Sequence, residues 1–165
     1  MLTIDGKTAI KEPLERLLAY VPDADHFLVG IAYQWASLIH DGQNRDAGQP
    51  FVTHPIAVAL ILASELGFYE DVEMMSAALL HDAVEDSVLS LEDIAPTFGA
   101  GVAALVKGVT KVQGPLMRNR DAIRAATLQR LFAAAQEDPR VLILKLADRM
   151  HNMRSIYGIK DARRR

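Results

Sequence analysis

Four residues of this 165-residue chain form the combination that we consider as metal ligands: His54, His81, Asp82 and Asp148. Imidazole nitrogens and carboxylate oxygens together form a mixed donor set that suits a divalent metal such as Mn, Fe, Co or Zn. Asp148 lies within a strongly apolar segment, where a buried charge needs a partner. A metal ion would be one such partner. The alternative partners are the basic residues near it in sequence, Lys145, Arg149 and Arg154.

Two further acids, Glu85 and Asp86, follow the His81-Asp82 pair by about one helical turn. Neither needs to bind a metal, so one of them can orient or deprotonate an attacking water. The alternative is that both are solvated loop acids, or that they cap the next helix.

Two polar residues could contact a ligand bound near such a centre. Arg45 lies in a polar loop, and its planar guanidinium suits phosphate groups and stacks on rings. Asn152 follows Asp148 by one turn on the same face of a predicted helix. Either residue could instead be an ordinary surface or capping group.

Hydrophobic periodicity predicts that helices position these residues. Residues 141–146 have some strand character, but their apolar continuation favours a buried helix. Ser90 and Asp93 form the pattern of a capping box. The fold class is therefore predicted to be all-α, a compact multi-helix globule with a metal site between helices. The expected helices are 24–40, 56–66, 71–81, one from Ser90 to about Gly99, 101–111, 121–136 and 140–157.

The composition narrows the function classes. The absence of cysteine excludes disulfides, thiolate metal sites and cysteine nucleophiles. No apolar run reaches the roughly 18 residues that a membrane helix needs, and a net charge of −3 disfavours general nucleic-acid binding. We therefore expect a cytoplasmic protein of one domain, residues 1–165 with a core of about 24–157. The uncapped basic run 159–165 suggests that this domain is truncated at its C-terminus.

Six stretches occur in order along the chain: HDGQNR (40–45), PFVTHP (50–55), residues 77–86 with the string HDAVED (81–86), FG (98–99), GVTK (108–111) and KLADRMHNMR (145–154). Together they resemble the HD-type hydrolase domain of the RelA/SpoT family of alarmone enzymes. A histidine–aspartate doublet alone is a weak signal, whereas the longer strings are specific. The resemblance extends over about residues 24–157.

This resemblance implies hydrolysis of the 3′-pyrophosphate of (p)ppGpp, giving GDP or GTP and pyrophosphate, at a Mn²⁺ centre. It implies that the acidic pair Glu85 and Asp86 activates the water, and that Arg45 and Asn152 contact the guanine nucleotide. Long family members also carry a synthetase domain, so a longer parent chain could contain one. The implied metal ligands are His54, His81, Asp82 and Asp148.

The sequence departs from the family pattern in two places. Asp46 and Ala47 stand where the family usually has a second basic residue and a serine, and 125–131 differs from the family's charged segment. An acid beside a polyphosphate repels it. Two alternatives therefore stay open: a phosphohydrolase of this type acting on another nucleotide, or a catalytically silent regulatory module from a longer synthetase/hydrolase.

Overall fold

Helices make up almost all of the regular structure in this computed structural model. It describes residues 13–45, 48–87, 89–112 and 120–162, with side chains as far as residue 155. Within those ranges no strand forms, which confirms the predicted all-α class. Residues 13–18 are helical and precede a short 3₁₀ turn, Asp23–Asp25. The helices that follow are α1 (His26–Ile39), α2 (Thr53–Leu60), α3 (Val72–Leu80), α4 (Ala83–Asp86), α5 (Leu91–Val109), α6 (Arg120–Glu137) and α7 (Arg140–Ala162).

Helix α2 starts at Thr53, three residues before the predicted start, and its C-terminal end continues as a π-helix. Pro55 lies in the first turn of α2, where its missing N–H costs nothing. Beyond Leu60 the chain continues as a π-helix, Ile61–Glu65. Gly67 follows at a φ of +77°, a conformation that glycine adopts without strain and that suits the end of a helix.

The fifth helix is two predicted helices joined at a kink. Ser90 and Asp93 form the predicted capping box, in which the Ser90 backbone N–H donates to Asp93 Oδ2 at 2.8 Å. Gly99, at φ +90° and ψ +163°, then breaks the helical geometry inside α5. The sequence-based division near Gly99 is therefore confirmed.

The core is built around α3, whose residues from Met74 to Leu80 are all buried. This helix packs against α1, α2 and α5. On another side α7 packs against α2, α5 and α6. Residues 141–146 lie within α7, so the strand alternative for this segment is wrong. Gly108 allows this close approach, because a Cβ there would lie 2.7 Å from Val141 Cγ1.

Some sequence-based expectations fall outside the described residues. Asp46 and Ala47, where the sequence departs from the family pattern, are among them, as is the end of the basic run, 163–165. The other departure, 125–131, lies in α6, where Leu131 is buried. None of the helices in the described ranges is both long and apolar enough to cross a membrane.

Candidate metal centre

Three parts of the fold bring the predicted ligands together. The first turn of α2 supplies His54, and the break between α3 and α4 supplies His81 and Asp82. The middle of α7 supplies Asp148. Both histidines and Asp148 are buried, whereas Asp82 is partly accessible at 19% of its side chain. The short break between α3 and α4 lets the adjacent side chains of His81 and Asp82 face the same cluster.

The four side chains meet through one donor atom each. His54 Nε2 lies 3.2 Å from His81 Nε2. Asp82 Oδ2 lies 3.4 Å from the first of these nitrogens and 3.2 Å from the second. Asp148 Oδ1 lies 3.3 Å and 4.0 Å from the same two atoms. One donor atom each from His54, His81 and Asp148 falls within a common 4.8 Å, close enough to hold one metal ion.

The hydrogen bonding of His81 fits a metal ligand. Its Nδ1 lies 2.7 Å from the carbonyl oxygen of Ala78, which can only accept. Nδ1 therefore carries a proton, and in the neutral ring the lone pair on Nε2 points into the cluster. Because carboxylate oxygens from Asp82 and Asp148 converge on the same place, this donor set is suited to a divalent cation.

The electrostatics of the cluster also favour positive charge. Burial opposes a charge on His81, but the carboxylates of Asp82 and Asp148 raise the pKa of its imidazole. Burial lowers the pKa of His54. Although burial opposes ionisation of Asp148, its contact with His54 and the charge of Lys145 hold its pKa well below the usual range. Burial also opposes ionisation of Asp82, but the charge of His81 holds its pKa well below the usual range, so both acids are ionised and attract a cation.

Asp148 uses its two oxygens differently. Oδ2 pairs with Lys145 Nζ at 2.8 Å, while Oδ1 faces the histidines and accepts from Asn152 Nδ2 at 2.6 Å. The two alternatives that the sequence left open for its partner are therefore compatible. Arg154, another sequence-based candidate, instead pairs with Glu65 at 2.6 Å.

The loop before α2 holds Arg45 against α7. The Arg45 backbone N–H donates to Gln49 O at 2.8 Å, and Gly48 N–H donates back to Arg45 O at the same distance. The guanidinium donates to Asn152 Oδ1 at 2.9 Å and lies 3.2 Å from His151 Nδ1. Both residues that the sequence assigned to ligand contact, Arg45 and Asn152, therefore touch each other beside the cluster.

A cavity of about 220 Å³ opens onto the cluster. Four cationic side chains and two carboxylates line it, so the space between them suits a ligand with several negative charges. Such a cavity is small beside the usual range for ligand pockets and fits a phosphate-rich end rather than a whole nucleotide. The lining residues are Arg45, Phe51, His54, Asp82, Lys111, Lys145, Asp148, Arg149 and Asn152.

The acidic pair of α4 lies beside this cavity and not in its lining. The Glu85 carboxylate accepts from the Lys111 backbone N–H at 2.6 Å and from Lys111 Nζ at 2.7 Å. Asp86 is largely exposed. The partial desolvation of its carboxyl group and the negative charge of Asp82 raise its pKa. Glu85 is thus connected to the cavity through Lys111, a residue to which the sequence assigned no role.

Sequence reasoning missed His151. Its Nδ1 lies 2.7 Å from His54 Nδ1, directly behind the predicted ligand. Burial and the nearby charges of His54 and Arg45 lower its pKa to about 4. The available signal was that His151 follows Asp148 by three residues. Its hydrogen-bond partner His54, however, lies 97 residues away in sequence.

The fold and this histidine–aspartate cluster define a class of protein. The family model described as HD domain matches residues 32–165, so the chain belongs to the HD domain family. Within it, the resemblance to the RelA/SpoT enzymes is confirmed by more particular similarities.

Two curated relatives and one solved structure illustrate these similarities. The bifunctional (p)ppGpp synthase/hydrolase SpoT of Escherichia coli K12 is 39% identical over 155 residues, 93% of this chain and 22% of its own. A GTP pyrophosphokinase of Streptomyces coelicolor is 47% identical over 129 residues, 78% and 15% of the two chains. A solved structure, described as a metazoan ortholog of SpoT that hydrolyzes ppGpp, matches with a TM-score of 0.67 at 32% identity, covering 83% of this chain and 72% of that one. The chain thus spans about a fifth of the length of the curated relatives.

Proposed function

We propose that this chain is a metal-dependent (p)ppGpp 3′-pyrophosphohydrolase. Water adds to the phosphorus bonded to the ribose 3′ oxygen, and the bond between that oxygen and phosphorus breaks. The 3′ oxygen takes a proton, so the products are pyrophosphate and GDP or GTP. The observation that carries the proposal is the meeting of His54, His81, Asp82 and Asp148 beside a cavity lined by four cationic side chains.

Mn²⁺ is the metal that we propose for this donor set, held by the same four residues. When bound, such an ion supplies Lewis acidity to a phosphoryl oxygen and lowers the pKa of water. The proposal is supported by two nitrogen and two carboxylate donors, a mixture that suits borderline divalent ions better than Mg²⁺ or Ca²⁺.

The chain's other residues divide the remaining work. Arg45, Lys111 and Lys145 present positive charge around the cavity, where they can hold the 3′-diphosphate in place. We assign proton acceptance from the attacking water to the acidic pair Glu85 and Asp86. The raised pKa of Asp86 supports this role, because a carboxylate with a higher pKa is a stronger base near neutral pH.

The first test is pyrophosphate release from ppGpp by the chain, metal-free and with added Mn²⁺, beside the variant Asp148→Asn. We expect release only with metal and none from the variant. GDP, which lacks the 3′-diphosphate, should release nothing. Release without metal would contradict the proposed centre. Binding of ppGpp without turnover by the Mn²⁺-loaded chain would favour the regulatory alternative.

A second test separates water activation from metal binding. Glu85→Gln should bind Mn²⁺ like the wild type but lose roughly 10²–10⁴ in rate, the usual contribution of a general base. Glu92→Gln is the matched control, because Glu92 is an exposed acid in the first turn of α5. A Glu85→Gln variant with unchanged turnover would remove Glu85 from the mechanism.

A further inference from the structure

We propose that His151 is a positioning residue that joins the metal centre to the arginine at the cavity. By accepting hydrogen bonds on Nδ1, it would hold His54 in the tautomer that a metal ligand needs and hold the guanidinium of Arg45 in place. This inference rests on the metal site proposed above, and its tests are independent of hydrolysis.

The direction of these hydrogen bonds follows from Arg45. A guanidinium can only donate, and Arg45 Nη1 lies 3.2 Å from His151 Nδ1. His151 Nδ1 therefore carries no proton and acts as an acceptor, so the ring is the neutral Nε2–H tautomer. His54 Nδ1 lies 2.7 Å from this same nitrogen and must be the donor of that contact.

The tautomer of His54 is fixed as a result. With its proton on Nδ1, neutral His54 has its free lone pair on Nε2, the atom that lies 3.2 Å from His81 Nε2. His151 thus does for His54 what the Ala78 carbonyl does for His81. Most metal-binding histidines donate to a carboxylate, a carbonyl or water; here a second imidazole takes that place.

A closed ring of contacts extends this effect to the other side of the centre. Arg45 Nη2 donates to Asn152 Oδ1 at 2.9 Å, and Asn152 Nδ2 donates to Asp148 Oδ1 at 2.6 Å. Asp148 Oδ1 in turn lies 3.3 Å from His54 Nε2. His151 and Asn152, two consecutive residues of α7, therefore connect Arg45 to the proposed ligands His54 and Asp148. A displaced His151 side chain would disturb both the metal ligands and the arginine at the cavity.

The experiment compares two substitutions at this position by metal titration and kinetics. His151→Leu removes the acceptor, whereas His151→Asn can place an amide oxygen near the position of Nδ1. We expect His151→Leu to weaken Mn²⁺ binding, measured by calorimetry on the metal-free chain, by about 10–100-fold. His151→Asn should recover most of that loss. In an active preparation KM for ppGpp should rise with His151→Leu, because Arg45 loses a contact.

The melting temperature of the metal-free variants separates positioning from a purely structural role. A structural role would lower that temperature in both variants and leave the Mn²⁺ affinity of the folded chain unchanged, which would overturn the proposal. The proposal would also be wrong if His151→Leu bound Mn²⁺ like the wild type.

A measurement on the wild type covers the case in which His151→Leu does not fold. Long-range ¹H–¹⁵N spectra of the metal-free chain at pH 8 report which nitrogen of each histidine is protonated. We expect Nδ1–H for His54 and Nε2–H for His151. A proton on His151 Nδ1 would overturn the inference whether or not the chain hydrolyses ppGpp.

Discussion

The close approach of α5 and α7 at Gly108 makes a strong stability prediction. A Cβ at this position would lie 2.7 Å and 2.9 Å from the two methyl carbons of Val141 and 3.1 Å from Ala134 Cβ. Gly108→Ala should therefore destabilise the fold, although alanine ordinarily stabilises a helix relative to glycine. The contact matters for function because α7 also carries Asp148.

The size of the effect is a balance of two opposing contributions. Replacing glycine in a helix gains about 0.5–1 kcal/mol. Overpacking of a well-packed core costs typically about 1–3 kcal/mol. Val141 is buried and stiff at χ1, and both of its methyl groups lie in the way, so rotation cannot relieve the contact. We therefore use the upper part of the range for overpacking and expect the free energy of unfolding to fall by about 1–2 kcal/mol. The melting temperature should be lower by roughly 2–8 °C.

Thermal and urea unfolding in EDTA measure this effect without a contribution from metal binding. Gly30→Ala is the matched control, since nothing lies within 4 Å of a Cβ there, and it should stabilise by about 0.5–1 kcal/mol. Val141→Ala should rescue Gly108→Ala by more than about 0.5 kcal/mol relative to additivity. If Gly108→Ala unfolds at or above the wild-type temperature, the packing argument is refuted.

Three other predictions follow from charged groups. The hydrogen bond from Arg140 holds the pKa of Asp138 below its ordinary value of about 4. The pair therefore stabilises the fold above about pH 4. This contribution is lost as the pH falls through the lower pKa of the folded state. Arg140→Gln removes this contact together with the ion pairs to Asp71 and Glu73, both at 2.9 Å, and should thus cost about 1–2 kcal/mol at pH 7 by urea unfolding. The difference should be smaller at pH 3; an equal cost at both would contradict the prediction. Lys111→Met should raise KM for ppGpp about tenfold in steady-state assays; an unchanged KM would exclude a phosphate contact. The same variant should also lower the melting temperature, because the Glu85 side chain is only 9% exposed and loses the cation of its ion pair. Saturation with Mn²⁺ at 100 times its Kd should stabilise the wild type by about 2.7 kcal/mol in a thermal shift assay, and Asp148→Asn should lose that gain; equal shifts in both would place the metal elsewhere.

Local sequence signals predicted most of the fold. The Ser90 capping box and the glycine at 99 each specify local geometry within a few residues. The π-helical end of α2, Ile61–Glu65, was not predicted, because its residues have the same apolar pattern as an α-helix. Packing against α7 accompanies that change and depends on a distant part of the chain.

The candidate site, like the fold, was predictable from local sequence signals only in part. Residue types and motif strings predicted the cluster of His54, His81, Asp82 and Asp148, which the fold brings together. His151 lies in one of these motif strings, but its place behind His54 exists only after α2 and α7 pack against each other. The link from Lys111 to the acidic pair of α4 also joins distant segments, which periodicity cannot detect.

The distribution of charge around the cavity has a consequence for how a polyphosphate would bind. Lys145 is paired with Asp148, and Lys111 with Glu85, so much of the positive charge there is already compensated by carboxylates. These pairs hold the lysines in position, which reduces the entropy lost on binding, but a phosphate must compete with Glu85 for Lys111. A divalent metal would add two positive charges beside the same cavity. We therefore expect that metal strengthens the binding of ppGpp and does not act only on the rate. The comparison is the Kd for ppGpp of Glu85→Gln, which is expected to turn over slowly, with Mn²⁺ and with EDTA; equal values would mean that the cationic side chains alone provide the affinity.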